Sequence, residues 1–211
     1  MPSDAKPPTR RAPSQARSQH TLEVIFEATR RVAAEQGVEH LTTNRIAERA
    51  GVSIGTLYQY FPTREAIVDA IVQRERARLM RELEALLSTA QDATTPARDI
   101  VRAFVRLYVR AFTADDPGHR ALVRLAWQSD HLGATVHSLR EAAERIGVHL
   151  QRAMHPQLRP PSPTQVFVLT RALMGTVRAA VLEDSALLGT PAFEEELTRV
   201  CWALLAADSV G

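Results

Sequence analysis

The chain has 211 residues, 45% hydrophobic and 24% charged, enough apolar material for one sizeable core or a small head on a larger body. Its formal net charge of +2 and pI near 9.1 argue against a protein that coats nucleic acid along its whole length, yet leave room for a local basic patch. Cys201 is the single cysteine, which excludes an intrachain disulfide and a cysteine zinc site. Residues 1–18 carry no apolar signal region and no uninterrupted apolar run reaches ~18 residues, so the expectation is a soluble, cytoplasmic protein with no membrane partner.

Residues 1–18 read as a flexible basic arm, broken by Pro2, Pro7, Pro8 and Pro13 and charged by Lys6, Arg10, Arg11 and Arg17. From Thr21 onward Leu22, Ile25, Phe26, Thr29 and Val32 recur at helical steps, and Gly37 supplies a stop. A second helix opens at Leu41-Thr42-Thr43, with either threonine as N-cap. A third is capped by Ser53. After Pro62, Thr63 caps a long helix from Arg64 that spans about 35 Å at 1.5 Å per residue. Its buried side is marked by Ile67, Val68, Ile71, Leu79 and Leu83. Further helices are predicted around 100–111, 121–128, 134–155, 163–188 and 191–207, with a turn at 115–118. No strand signal appears. The expected fold is all-α, with about nine helices by apolar periodicity. It divides into the arm at 1–18, a three-helix helix-turn-helix head at 19–65 and a larger antiparallel helical body at 66–211.

Residues 43–61 meet the demands of a helix-turn-helix. Two helices that cross steeply need a small residue at the crossing, a turn residue that accepts positive φ, and apolar residues that lock the angle. Ala47 is small, Gly51 makes the turn, and Ile46, Ala50, Val52, Leu57 and Phe61 supply the lock. Ser53, as N-cap, turns the amide end of the second helix toward a phosphate.

The same segment resembles the TetR family of transcriptional regulators. The pattern here is Gly37, Leu41-Thr42-Thr43, Ile46-Ala47, Ala50-Gly51-Val52-Ser53, Gly55-Thr56-Leu57-Tyr58, Tyr60-Phe61 and Arg64-Glu65. The resemblance covers residues 22–71; beyond them the chain matches only in being helical. Arg64 stands where the family commonly has lysine. The resemblance implies that Thr43 and Asn44 meet the DNA backbone or a base edge, and that Ser53, Ile54, Gly55 and Thr56 begin the recognition helix. It implies further that Tyr58 contacts phosphate, that Gln59 and Tyr60 project toward the groove, and that Arg64 pins the backbone. Gln59 and Asn44 are the amide side chains able to read adenine. The implied function is a repressor that binds double-stranded DNA as a homodimer and is released by a small molecule, activation being the alternative.

In the body, the segment 163–188 is apolar on two sides and must bury both. One side, Leu169, Leu173 and Val177, is expected with Phe193, Leu197, Val200 and Leu204 at a two-fold dimer interface. The other is expected to line a ligand pocket, with Phe104, Tyr108, Phe112, Trp127, Met154, Phe167 and Met174. A filled core without a cavity is the alternative. Arg171 and Arg178 are candidate pocket residues that would select an acidic ligand if they point inward, and otherwise surface arginines at a helix rim. Arg98, Arg102, Arg106 and Arg110 read as a solvated face. No nucleophile–base pair, phosphate loop or metal-ligand spacing is found, so no catalytic site, cofactor or metal is expected. Two rival readings are a scaffold whose head has lost DNA function and an enzyme built on the body pocket.

Overall fold

The computed structural model describes residues 13–89, 94–113, 116–129, 133–152 and 155–207. They form nine α-helices and one short 3-10 turn, Val38–His40, with a single isolated bridge between Leu158 and Ala206. The all-α expectation holds.

Helix α1 runs over Pro13–Gln36, longer than its apolar stripe predicts. Proline is tolerated in the first helical turn, where its missing N–H has no partner to lose, and neither glycine nor proline follows before Gly37. The expected arm therefore gives up residues 13–18 to this helix; residues 1–12 lie outside the described residues. Next come α2 (Thr43–Ala50) and α3 (Ile54–Tyr60). Then follows α4 (Arg64–Thr89), about 39 Å long at 1.5 Å per residue. Thr63 caps it by accepting from the Ala66 amide at 3.1 Å.

The body adds α5 (Ala97–Thr113), α6 (Pro117–Ser129), α7 (Gly133–Arg152), α8 (Pro163–Leu182) and α9 (Pro191–Leu205). The arginine face of α5 meets α9: Arg98 pairs with Glu195 at 2.9 Å and Arg106 with Glu194 at 3.2 Å. Such exposed pairs each contribute little; the apolar face opposite them, Val101, Phe104, Val105 and Tyr108, is buried. His155 anchors the approach to α5, its Nε2 lying 3.0 Å from the Thr95 carbonyl.

Of the turn expected at 115–118, residues 116–118 are described, and they begin a helix instead. Pro117 opens α6, and the Asp116 carboxylate accepts from the His119 amide at 3.1 Å. Gly118 sits where α6 crosses α1, so close that a Cβ there would lie 2.1 Å from the Arg30 carbonyl oxygen. The glycine serves a helix crossing.

Two apolar cores result. The head core gathers Ile25, Phe26, Val32, Leu41, Ile46, Leu57 and Phe61, and continues into Ile67, Val68, Ile71 and Val72 of α4 and Leu122 of α6. Apolar packing thus does not divide at residue 65: the first turns of α4 and one side of α6 belong to the head. Leu122 is fully buried, and burial of a leucine contributes roughly 1.5–3 kcal/mol. The body core runs from Leu83 through α5 to α8 and α9.

Helix α8 is long and apolar enough, by length and composition, to cross a membrane. Here one side is buried and the other is not. Leu169, Leu173 and Val177 on α8 and Leu197 on α9 are buried in this chain's own core, so they cannot meet a second copy as the sequence suggests. Among the residues left exposed are Phe167 and Val168 on α8 and Val200 on α9. The helix is apolar on two sides, as its sequence predicts, but Leu169, Leu173 and Val177 turn inward with Met174, and Phe167 turns outward. Phe193 and Leu204 are half-buried against the body core.

Candidate nucleic-acid interface

The head's second and third helices are fixed by local chemistry. Thr42 is the N-cap of α2, its hydroxyl accepting from the Arg45 amide at 3.3 Å. Gly51 ends α2 at φ 67°, ψ 28°, with its N–H on the Ala47 and Glu48 carbonyls. A left-handed residue at this position permits the sharp turn without a Cβ penalty. Ser53 caps α3, its hydroxyl accepting from the Thr56 amide at 3.0 Å. Ile46, Ala47, Leu57 and Phe61 are buried beneath, with Phe61 packed on Phe26 at 5.8 Å between ring centroids. These residues hold α3 from below, and its outer side is free.

That outer side carries most of the residues expected at DNA. Asn44, Ser53, Ile54, Gly55 and Gln59 are exposed, and Tyr58 is 52% exposed. The hydroxyls of Thr43 and Tyr58 lie 3.3 Å apart, joining the start of α2 to the outer face of α3. Ser53 and Thr56 hydroxyls form a second pair at 2.8 Å. Tyr60 is half-buried and packs against the head core.

Arg64 departs from the simple picture. Its Nη1 donates to the Leu41 carbonyl at 3.1 Å and its Nε to Glu65 at 2.9 Å. The guanidinium therefore clamps the entry of α2 to the start of α4. Glu65 is held below the usual carboxylate range, first by its own backbone N–H and then by Arg64. Sequence reasoning misses this clamp, because it joins residues 23 positions apart through a backbone carbonyl that no side-chain pattern reports. Arg45 and Arg49 also turn back to the head, bonding to Gln36 and Glu35 respectively.

The body holds an apolar cavity of about 260 Å³. Phe104, Tyr108 and Phe112 of α5, Trp127 of α6 and Met174 of α8 line it, and so do Arg76 and Met80 of α4 and Ala142 and Ile146 of α7. The facing sides of α4 and α7 bear no distinctive residue in the sequence, and their rotation about the bundle brings them in. Three expected lining residues lie elsewhere. Phe167 is 57% exposed on the outer side of α8, with the Arg171 guanidinium stacked over its ring at 4.3 Å. Arg171 further donates to Thr170 at 2.9 Å, and Arg178 to the Trp127 carbonyl at 3.0 Å. The rim reading of these two arginines is the one the geometry supports. Met154 lies outside the described residues. A wider crevice of about 570 Å³ between α1, α4, α5 and α6 is lined largely by charged groups, Glu27, Arg30, Glu75 and Arg78 among them. Ligand pockets are lined mainly by apolar side chains, so the smaller cavity is the better candidate.

A short helix held from beneath, its polar side outward and joined by a glycine turn to a capped partner, defines a helix-turn-helix DNA-binding protein. Residues 25–71 match the family model described as bacterial regulatory proteins, tetR family. The nucleoid occlusion factor SlmA of Haemophilus ducreyi is 27% identical over 162 residues, 75% of this chain and 74% of that protein. In fold the chain is similar to SmeT, the repressor of the Stenotrophomonas maltophilia multidrug efflux pump SmeDEF. The TM-score is 0.66 at 24% identity, covering 91% of this chain and 95% of SmeT. A SmeT–triclosan complex superposes with a TM-score of 0.65 at 23% identity, over 90% and 94% of the two chains. Over residues 25–71 the chain thus carries a helix-turn-helix segment of the tetR-family type, set on a helical body with the fold of SmeT.

Proposed function

We infer that the protein is a repressor that binds a near-palindromic operator as a homodimer and lets go when a small molecule enters the body. One observation carries this reading. Helix α4 starts at Arg64, clamped to the head through Leu41, and its later turns form a wall of the apolar cavity. A ligand in that cavity touches the helix on which the head rests. If it binds better to a body conformation with different head spacing, DNA affinity falls by that difference.

Two heads related by a two-fold axis place their α3 helices in successive major grooves ~34 Å apart. The exposed Phe167, Val168 and Val200 supply the apolar surface for such pairing. Helices α8 and α9 are tied by Gln165 Nε2 donating to the Leu204 carbonyl at 3.3 Å. On the DNA, Thr43, Asn44, Ser53, Gly55, Thr56, Tyr58 and Arg64 serve phosphate and positioning contacts, while Ile54, Gln59 and Tyr60 face the groove. SmeT, named as the repressor of an efflux pump and seen in complex with triclosan, supports the pairing of repression with small-molecule binding.

A mobility-shift assay with the DNA upstream of this protein's own gene tests the reading, extended to pooled genomic fragments. A salt-sensitive shift to one or a few fragments is the expected result. A folded protein that shifts no genomic fragment would favour a scaffold without DNA function.

A further inference from the structure

The cavity in the body has a chemical bias. Its deep wall is a run of aromatic rings: Tyr108 meets Phe112 edge-on at 5.2 Å, and Phe112 meets Trp127 at 5.0 Å between centroids. Trp127 is 3% exposed, and its Nε1–H is buried with no hydrogen-bond partner among the described residues. An indole N–H only donates, and a buried donor left without an acceptor is destabilising. The Tyr108 hydroxyl on the same wall donates to the Met174 thioether, at 2.8 Å, a weak acceptor. Two of the residues that line this apolar chamber thus carry a donor with no good acceptor among the described residues.

The ionised side chains that line the cavity, Arg76, Glu141 and Arg145, all keep part of their surface in solvent. Arg145 bonds to Glu84 at 2.6 Å and lies 3.7 Å from Glu141, so that guanidinium is already balanced by carboxylates. On the aromatic wall itself Tyr108 is the ionisable group, and burial pushes its hydroxyl well above the usual phenol range. Arg76 is near enough for its charge to act on Tyr108, but a charged ligand pressed against the aromatic rings themselves would still lose its water, which is costly.

We propose that the cavity takes an uncharged, compact aromatic ligand bearing a hydrogen-bond acceptor, such as a carbonyl or ether oxygen, that meets Trp127 Nε1. Phe112 and Tyr108 flank the ring, and the Tyr108 hydroxyl is placed to turn from Met174 to the same ligand. This rests on the reading of the body as ligand-responsive and names the class of molecule to which it responds. At about 260 Å³ the chamber lies at the small end of ligand pockets, which favours a fused two-ring molecule over a long chain.

Equilibrium dialysis of the full chain, without DNA, tests this with probes of one shape. 1-Acetonaphthone carries the acceptor, 1-ethylnaphthalene lacks it, 1-naphthoate is an anion and 1-naphthyltrimethylammonium a cation. The ketone should bind about tenfold more tightly than the hydrocarbon, the difference expected for one otherwise unmade buried hydrogen bond, and more tightly than either ion. Trp127→Phe should remove the preference for the ketone while retaining the hydrocarbon. Equal binding of ketone and hydrocarbon to the unaltered protein overturns the proposal, whether or not the variant folds. So does tighter binding of either ion, no binding of any probe, or a preference that survives in folded Trp127→Phe. Because no DNA is present, these outcomes leave the mobility shift untouched. Ketone binding that fails to release DNA would count against release alone.

Discussion

Tyr58 and Gln59 are neighbours on α3, yet their chemistry suits them to different work. The Tyr58 hydroxyl lies 3.3 Å from that of Thr43; on the proposed docking it meets phosphate, which sets register and carries no sequence information, while the Gln59 amide meets a base edge. Tyr58→Phe removes a neutral hydroxyl, so it should weaken binding to all sequences alike while the salt dependence of log K, which counts neutralised phosphates, stays in place. Gln59→Ala should also leave that slope in place but relax preference at particular base pairs; fluorescence anisotropy across salt and operator variants separates the two. Arg64→Ala should also lower the melting temperature, because it removes a half-buried hydrogen bond to Leu41 as well as any DNA contact. A loss of affinity with unchanged melting would show that the clamp contributes nothing to the fold. Cys201 is buried in the body core, which pushes its thiol up to about 12. Since the thiolate is the reactive form, a thiol reagent at pH 8 should leave the native protein unmodified and react on denaturation; fast native labelling would contradict this packing.

At the scale of helices, two glycines do different jobs and should fail differently. Gly51 holds a left-handed φ of 67° with open space where a Cβ would stand, so Gly51→Ala should cost about 1–2 kcal/mol of backbone strain alone. Gly118 would press a Cβ against the Arg30 backbone carbonyl, which must move, and overpacking of this kind costs about 1–3 kcal/mol, occasionally more. Urea unfolding should therefore rank Gly118→Ala as the more damaging, and equal midpoints would deny the tight α1–α6 crossing. The contrast also marks what a sequence can and cannot tell. Gly51 is legible because its neighbours, Ala47 and Ser53, form a local pattern within a few residues. Gly118 reads as a turn because its reason lies on α1, far away in the chain. Capping and the head's apolar lock are local and therefore legible; the cavity wall and the outward side of α8 depend on helix rotation, which periodicity leaves free. Phe167 and Leu169 show this: two residues apart, one is expected in the pocket and the other at the dimer face, whereas Leu169 lines the cavity and Phe167 is exposed.

Across the whole molecule, head and body are joined by two struts. Helix α4 leaves the head and walls the cavity, while α6 inserts Leu122 into the head core and Trp127 into the cavity wall. On the proposed mechanism a change at the cavity has two routes to the head, and Arg30 with Asp116 at 3.8 Å adds a charge contact between α1 and the start of α6. Pairing of two such molecules through α8 and α9 should be broken by Val168→Glu together with Val200→Glu. Light scattering after gel filtration is expected to change from dimer to monomer mass, and operator affinity should fall with it; an unaltered dimer would move the interface elsewhere. The proposed docking puts most of its DNA contacts on the outer side of α3 and the start of α2. Its most direct measurement is a binding titration on the genomic fragment that the unaltered protein selects, using Thr43→Ala, Tyr58→Ala and Gln59→Ala combined. These side chains lie outside the core, so melting should hold while specific binding is lost. Retained affinity in that folded triple variant would place the DNA on some other face of the molecule.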